Sequence, residues 1–130
     1  MVERTSQHLE DFYYKQDMFK KTVERLIKAI KNTNKEYKNI YAIPRGGLIF
    51  GVYLSHALNL PMVYDTNTIV LDTLIVDDIC DTGNTLKLFS GLTKVCLIVK
   101  PKGLNITKDL IYDIKVEDHV WVHFPWEKKI

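Results

Sequence analysis

The feature that most constrains the fold is the stretch 74–86, which reads LIVDDICDTGNTL. Leu74, Ile75 and Val76 form a short unbroken apolar run that meets two adjacent acids, Asp77 and Asp78. A run of that length is the pattern of a parallel strand covered on both faces. The acids then fall at its carboxyl end, where open α/β sheets place their ligands. A third acid, Asp81, precedes a small hydroxylated bend of Thr82, Gly83, Asn84 and Thr85, and a helical pattern opens at Leu86. Such a bend presents backbone N–H groups and hydroxyls that suit an anion such as phosphate. A strand followed by a helix capped by Asp81 or Thr82 would account for one acid and one hydroxyl. It leaves Asp77 beside Asp78, where the two repel unless a cation or hydroxyl donors are present. The stretch therefore reads as a site that holds a polyol or a metal with its carboxylates and a phosphate with its loop.

The common phosphate signatures do not fit, since there is neither a Gly-Lys-Ser/Thr P-loop nor a GxGxxG dinucleotide turn. A phosphatase metal site would carry its strand-end acids two apart, as Asp-x-Asp, whereas Asp77 and Asp78 are adjacent. What the stretch resembles is the phosphoribosyl-pyrophosphate (PRPP) motif of the type I phosphoribosyltransferases: an apolar strand, two acids, two spacers, then Asp-Thr-Gly-x-Thr.

A second loop points the same way. Residues 39–43 read as the first core strand, followed by Pro44-Arg45-Gly46-Gly47 and an apolar helix over 49–58 with Asn59 near its end. Glycines let the backbone approach a ligand closely, and Arg45 offers a fork of donors to phosphate oxygens. Alone, Arg-Gly-Gly is an ordinary tight turn with an exposed arginine. Beside the acidic stretch it completes a site, and it is similar to the pyrophosphate loop of bacterial xanthine-guanine phosphoribosyltransferases. That resemblance implies a non-proline cis peptide at or beside Arg45, with the Arg45–Gly46 bond as the expected place.

Composition sets wide bounds. With 130 residues and 46% hydrophobic content, the chain is long and apolar enough for one domain with a packed core. A net charge of +2 implies no strong field for nucleic acid or membranes. No apolar run reaches the roughly 18 residues of a membrane span. Two cysteines, Cys80 and Cys96, behind a charged, polar amino terminus lead to the expectation of free thiols in a reducing cytoplasm. Cys96 sits in an apolar run, 93–99, and reads as a core thiol; Cys80 falls in the ligand loop and is given no role.

The remaining elements fit an α/β chain. Phe19, Val23, Leu26, Ile27 and Ile30 recur at helical spacing and predict an amphipathic helix over 10–31, with residues 1–35 assigned to this N-terminal segment. Its lysines read as a solvated face. Residues 61–64 predict a short strand, 68–71 a further one, and 93–99 a buried one. Lys100-Pro101 follows at the carboxyl end of that last strand. In the tail, residues 118–126 alternate like a strand and end in Pro125-Trp126. His119 and His123 are four apart, with no cysteine or third histidine near in sequence to complete a zinc site.

The resemblance extends to both of these segments. Lys100-Pro101 is similar to the Lys-Pro of 6-oxopurine phosphoribosyltransferases, and the tail to the Trp-Ile…Pro-Trp ending of the xanthine-guanine enzymes. It implies that Lys100 donates to the purine 6-oxo group, that Trp121 stacks on the base, and that the Val122 carbonyl accepts from it, with Trp126 left to packing. It implies a PRPP site made of Arg45, Gly46, Gly47, Asp77, Asp78, Asp81, Thr82, Gly83, Asn84 and Thr85. Asp81 would exchange a proton with the purine, and Asp77 and Asp78 would hold the ribose hydroxyls directly or through Mg²⁺. One departure stands out. The family's long closing loop is replaced here by the short connection 65–72, which has no lysine or arginine. Such lids exclude water and complete the catalytic constellation, so two functions compete: a 6-oxopurine phosphoribosyltransferase, and a PRPP- or nucleotide-binding regulator with weak or no transfer.

The resulting expectation is one domain over 1–130, α/β, with a mainly parallel central sheet flanked by helices. Residues 117–130 would form a small hood over the base. Self-association as a dimer or tetramer is implied by resemblance, with Phe12, Tyr13 and Tyr14 available for it if exposed.

Overall fold

The computed structural model describes residues 10–127. Seven strands and three helices follow in the order β1 (Glu10–Tyr13), α1 (Gln16–Asn32), β2 (Asn39–Ala42), α2 (Gly46–Leu58), β3 (Met62–Val63), β4 (Thr73–Cys80), β5 (Lys94–Val99), α3 (Pro101–Ile106), β6 (Leu110–Lys115) and β7 (Val120–His123). One-turn 3₁₀ helices lie at Thr66–Thr68 and Leu86–Leu88.

The central sheet has five strands in the order β3-β2-β4-β5-β6, and all four pairings are parallel. Burial explains the apolar runs seen in the sequence. Leu74, Ile75 and Val76 are fully buried, as are Val95 to Val99. Successive residues point to opposite faces. Ile40, Ala42, Leu74, Val76, Val95 and Leu97 meet one core with Phe19, Val23, Leu26 and Ile30 of α1 and Phe50 and Leu54 of α2. Tyr41, Ile75 and Cys96 meet a second core, closed by Leu86 and Phe89 of the 3₁₀ turn and Leu104 of α3. The strand order reverses between β2 and β4, since β3 lies outside β2 on one side and β4 on the other. A crevice opens at such a switch point, outside the carboxyl ends of the strands. The Arg45 loop follows β2 there, and Asp77 and Asp78 are the β4 residues just past the last β2 pairing, Ala42 with Val76.

A second, two-stranded sheet pairs β1 with β7 in parallel, with Phe12 opposite Val122 and Asp11 opposite Trp121. This corrects the N-terminal reading: the helix begins at Gln16, not near residue 10. Residues 10–13 alternate with Phe12 turned onto the core, and their backbone pairs with β7. A β-strand was available to that segment only because a distant partner was, a long-range condition that helical spacing does not contain. Residues 1–9 of the N-terminal segment lie outside the described residues.

Other boundaries also move. The apolar helix starts at Gly46, so both glycines belong to its first turn. Residues 68–71 form no strand; they close the 3₁₀ turn and lead to β4, with Ile69 tucked against the second core. β4 does not stop at Val76 but runs through both acids to Cys80, so Cys80 ends a strand and is buried. The helical pattern from Leu86 yields only one 3₁₀ turn. β6, with Ile111 and Ile114 packed on the core, went unread in the sequence, although Leu110 and Ile111 begin a recognisable apolar run. Phe12 packs inward and Tyr14 is 1% exposed, leaving Tyr13 as the exposed member of that aromatic trio.

Candidate active site

The two loops meet through their glycines. A Cβ on Gly46 would stand 2.5 Å from Asp78 Oδ2, and one on Gly47 would stand 2.6 Å from the Val76 carbonyl. Only residues without a side chain let the first turn of α2 lie this close to β4. Arg45 takes the N-cap position of α2 and is exposed. The bond before it, Pro44–Arg45, is cis. The cis peptide thus lies on the amino side of Arg45 rather than between Arg45 and Gly46, as the sequence had suggested.

Asp78 is buried, 7% exposed, while Asp77 is half-buried and its carboxylate accepts from the Asp78 N–H at 2.8 Å. Burial first, and then the neighbouring charge of Asp78, pushes the Asp77 pKa up to about 8. Burial likewise raises Asp78. Two acids that burial makes reluctant to ionise are suited to ligands that favour the ionised form: a divalent cation, or the hydroxyls of a sugar. Among the described residues no group of three or more His, Cys, Asp or Glu side chains makes a metal cage. A magnesium ion here would therefore rest on these two carboxylates and on oxygens of the ligand.

The hydroxylated bend follows directly. Gly83 has φ 85° and packs against Ile106 and Thr107 beyond α3, a left-handed conformation that side chains disfavour. The Asn84 N–H donates to the Thr82 hydroxyl at 3.3 Å, and Asp81, Thr82, Asn84 and Thr85 are exposed. With only a 3₁₀ turn behind it, the bend has no long helix dipole to draw on; its own amides and hydroxyls must do the binding.

Lys100 closes the site from the β5 side. It is 3% exposed. Its Nζ lies 3.4 Å from Asp81 Oδ1 and 3.4 Å from the Asp118 carbonyl. An ammonium has three donors, and two long contacts leave capacity for a ligand oxygen. Gly103 was missed in the sequence as a site-building residue. A Cβ there would meet Cys80 Sγ at 2.7 Å and the Asp81 carbonyl at 2.8 Å, so its absence lets α3 seat behind Lys100. Its signal was present, a glycine in the first turn after the Lys-Pro pair.

Trp121 and Val122 are half-buried on β7. The His123 carbonyl accepts from the Tyr14 N–H at 2.8 Å. In a parallel ladder alternate residues face a given neighbour, so the backbone groups of Val122 point away from β1. Trp126 stacks on Phe124 at 5.1 Å and meets Tyr14 and Phe19 edge-on, a packing role as the sequence suggested. His119 and His123 do not share a partner: they pair with Glu10 at 2.7 Å and Asp11 at 2.9 Å.

A parallel sheet with acids, a glycine turn and a hydroxylated bend converging at its switch point defines the class: an α/β protein of the type I phosphoribosyltransferase fold. No protein-family model matches the chain. The xanthine-guanine phosphoribosyltransferase of Idiomarina loihiensis is 33% identical over an alignment covering 72% of this chain and 73% of that protein. The crystal structure of a purine phosphoribosyltransferase from Pyrococcus horikoshii superposes with a TM-score of 0.74 at 25% identity, covering 94% of this chain and 97% of that one. The xanthine-guanine-hypoxanthine phosphoribosyltransferase of Helicobacter pylori shares the fold with a TM-score of 0.70 at 22% identity, over 92% and 93% of the two chains. The chain belongs to the purine phosphoribosyltransferase family.

Proposed function

We propose that this protein transfers ribose 5-phosphate from PRPP to a 6-oxopurine — guanine, xanthine or hypoxanthine — with release of pyrophosphate. The observation that supports this reading is the buried Lys100 ammonium, held 3.4 Å from Asp81 Oδ1, three residues after Asp78. A fixed donor there satisfies a 6-oxo group, whereas the amino group of adenine would face it donor to donor. Leaving such a pair unmatched costs about 1–3 kcal/mol.

The reaction forms the bond from the base nitrogen to C1′ of the ribose as the bond from C1′ to pyrophosphate breaks. Positive charge develops on the sugar and negative charge on the leaving group. Arg45 and the Gly46 amide bind the pyrophosphate and stabilise that growing charge, while the Gly47 N–H is held by the Ile43 carbonyl at 2.8 Å and Gly47 serves by its lack of a side chain. Asp77 and Asp78 hold the ribose hydroxyls. The hydroxyls and amides of Thr82, Gly83, Asn84 and Thr85 hold the 5-phosphate, with Asp81 contributing its backbone N–H and leaving its carboxylate free for the purine. Asp81 takes up the proton that the purine gives away. Trp121 stacks on the base and the Val122 carbonyl accepts from its edge. Magnesium, when bound through Asp77 and Asp78, supplies neutralising charge to pyrophosphate.

The protein acts in the cytoplasm on this reading, and as a homo-oligomer, for which the exposed Ile49, Val52 and Tyr53 on α2 provide an apolar face. Incubation with PRPP, Mg²⁺ and each purine tests the proposal: nucleotide should form with 6-oxopurines and not with adenine. A second reading, a PRPP-binding regulator without efficient transfer, is favoured by the short connection 65–72. Measurable PRPP binding with no nucleotide from any purine would select it.

A further inference from the structure

Asp118 bridges two parts of the site that the sheet does not connect. It lies in the turn leading into β7, two residues before Val120 and three before Trp121. Its carboxylate accepts from the Lys102 N–H, in the first turn of α3, at 3.1 Å. Its backbone carbonyl accepts from Lys100 Nζ at 3.4 Å. The same residue is therefore tied to the main chain that follows Lys100 and to the ammonium of Lys100 itself. On its other side, the chain enters a strand that pairs, among the described residues, with β1 alone.

The two-stranded sheet needs such a tie. Among the described residues the central sheet ends at β6, and no strand of it pairs with β1 or β7. The position of Trp121 relative to Lys100 is thus set by side-chain packing and by the few hydrogen bonds that cross from one sheet to the other. Asp118 supplies one through its side chain and one through its backbone. A base gripped at its edge by Lys100 and on its face by Trp121 is held well only if those two groups keep their spacing, because a displacement of about 1 Å is enough to spoil a bound geometry.

We infer that Asp118 is a positioning residue: it clamps the strand that carries Trp121 and Val122 to the turn that carries Lys100, and so sets the width of the purine pocket. It touches neither substrate nor reacting atoms. This rests on the reading of the base pocket given above, and it adds a residue that the family motifs in this chain do not include.

The test compares Asp118→Ala with Asp118→Asn. Alanine removes the acceptor for the Lys102 N–H; asparagine keeps an oxygen in the same place. Hydrogen exchange of the β7 amides should be faster in Asp118→Ala, by about fivefold for the loss of one hydrogen bond, while β4 and β5 amides keep the rates of the unaltered protein. The KM for the purine should rise by a similar factor, with kcat and the affinity for PRPP within twofold of the unaltered protein. Asp118→Asn should recover both values. Unchanged β7 exchange in Asp118→Ala would overturn the clamp, and so would an equal loss of purine and PRPP binding. If the unaltered protein accepts no purine, the base-pocket reading fails by itself, and the exchange comparison still decides whether Asp118 holds the hood.

Discussion

At the scale of single residues, close approach governs the site. Gly47→Ala would drive a methyl into the Val76 carbonyl, backbone that cannot turn aside. The expected outcome is loss of PRPP binding together with a drop in thermal stability of about 1–3 kcal/mol, read by calorimetry and by equilibrium binding. Asp81 lies exposed beside Lys100, so Asp81→Asn should keep PRPP affinity and slow transfer by about 10²–10⁴-fold. Equal loss of binding and transfer would show the role to be structural. The acid pair makes a pH prediction. The pKa of Asp77 is raised to about 8 from the ordinary value of 3.8, by burial and by Asp78. A carboxyl raised in the folded state gives stability that is fully present below the unfolded pKa. That stability is lost as pH climbs toward the folded value. Thermal scans of the ligand-free protein should therefore show a melting temperature that falls between about pH 4 and pH 8. Asp77→Asn should flatten that slope. An unchanged slope would remove Asp77 as its source.

At the scale of elements, local pattern and long-range partner divide the chain. Leu74 to Val76 announced β4 because a strand buried on both faces has few other compositions. The heptad-like spacing of Phe19, Val23, Leu26 and Ile30 announced α1 for a similar reason, since all four fall on the face that meets the sheet. What the pattern did not hold was where each element stops. Asp77 and Asp78 look like loop residues, yet β4 runs through them because β5 continues alongside, with Asp77 opposite Cys96 and Cys80 opposite Val99. Residues 10–13 look helical until β7 offers itself as a partner. The pairing is reinforced by His119 with Glu10 and His123 with Asp11, and by Tyr13 stacked on His123 at 4.5 Å. Of the site residues, those in the glycine turn and the acid stretch were legible because their chemistry is unusual at those spacings. The contacts of Asp118 were not, because they matter through residues far away in sequence, and Gly103, though visible beside the Lys-Pro pair, matters through its approach to Cys80 and Asp81.

At the scale of the whole molecule, stability comes from the core between the central sheet and helices α1 and α2. Leu26 is 1% exposed within it. Leu26→Ala should lower the free energy of unfolding by about 2–5 kcal/mol, seen as an earlier urea midpoint with an unchanged slope. A shift below about 1 kcal/mol would mean that the interface between α1 and the sheet can collapse to fill the gap. The same core fixes the crevice. α2 packs on β2 and β4, so any displacement of the helix carries Arg45 and its two glycines with it. The connection 65–72 is short, and its Ile69 is held against the second core.

The sequence by itself determined the local chemistry: an apolar strand ending in paired acids, a hydroxylated bend, an arginine-glycine turn, and a lysine after the next buried strand. These follow from side-chain type and short spacing, which are properties of the chain alone. Only the tertiary structure decided that the arginine-glycine turn and the acid pair share one crevice, because the strand order reverses between β2 and β4. It alone also made residues 10–13 a strand beside the aromatic tail, since backbone pairing between segments a hundred residues apart is settled by how the whole molecule packs.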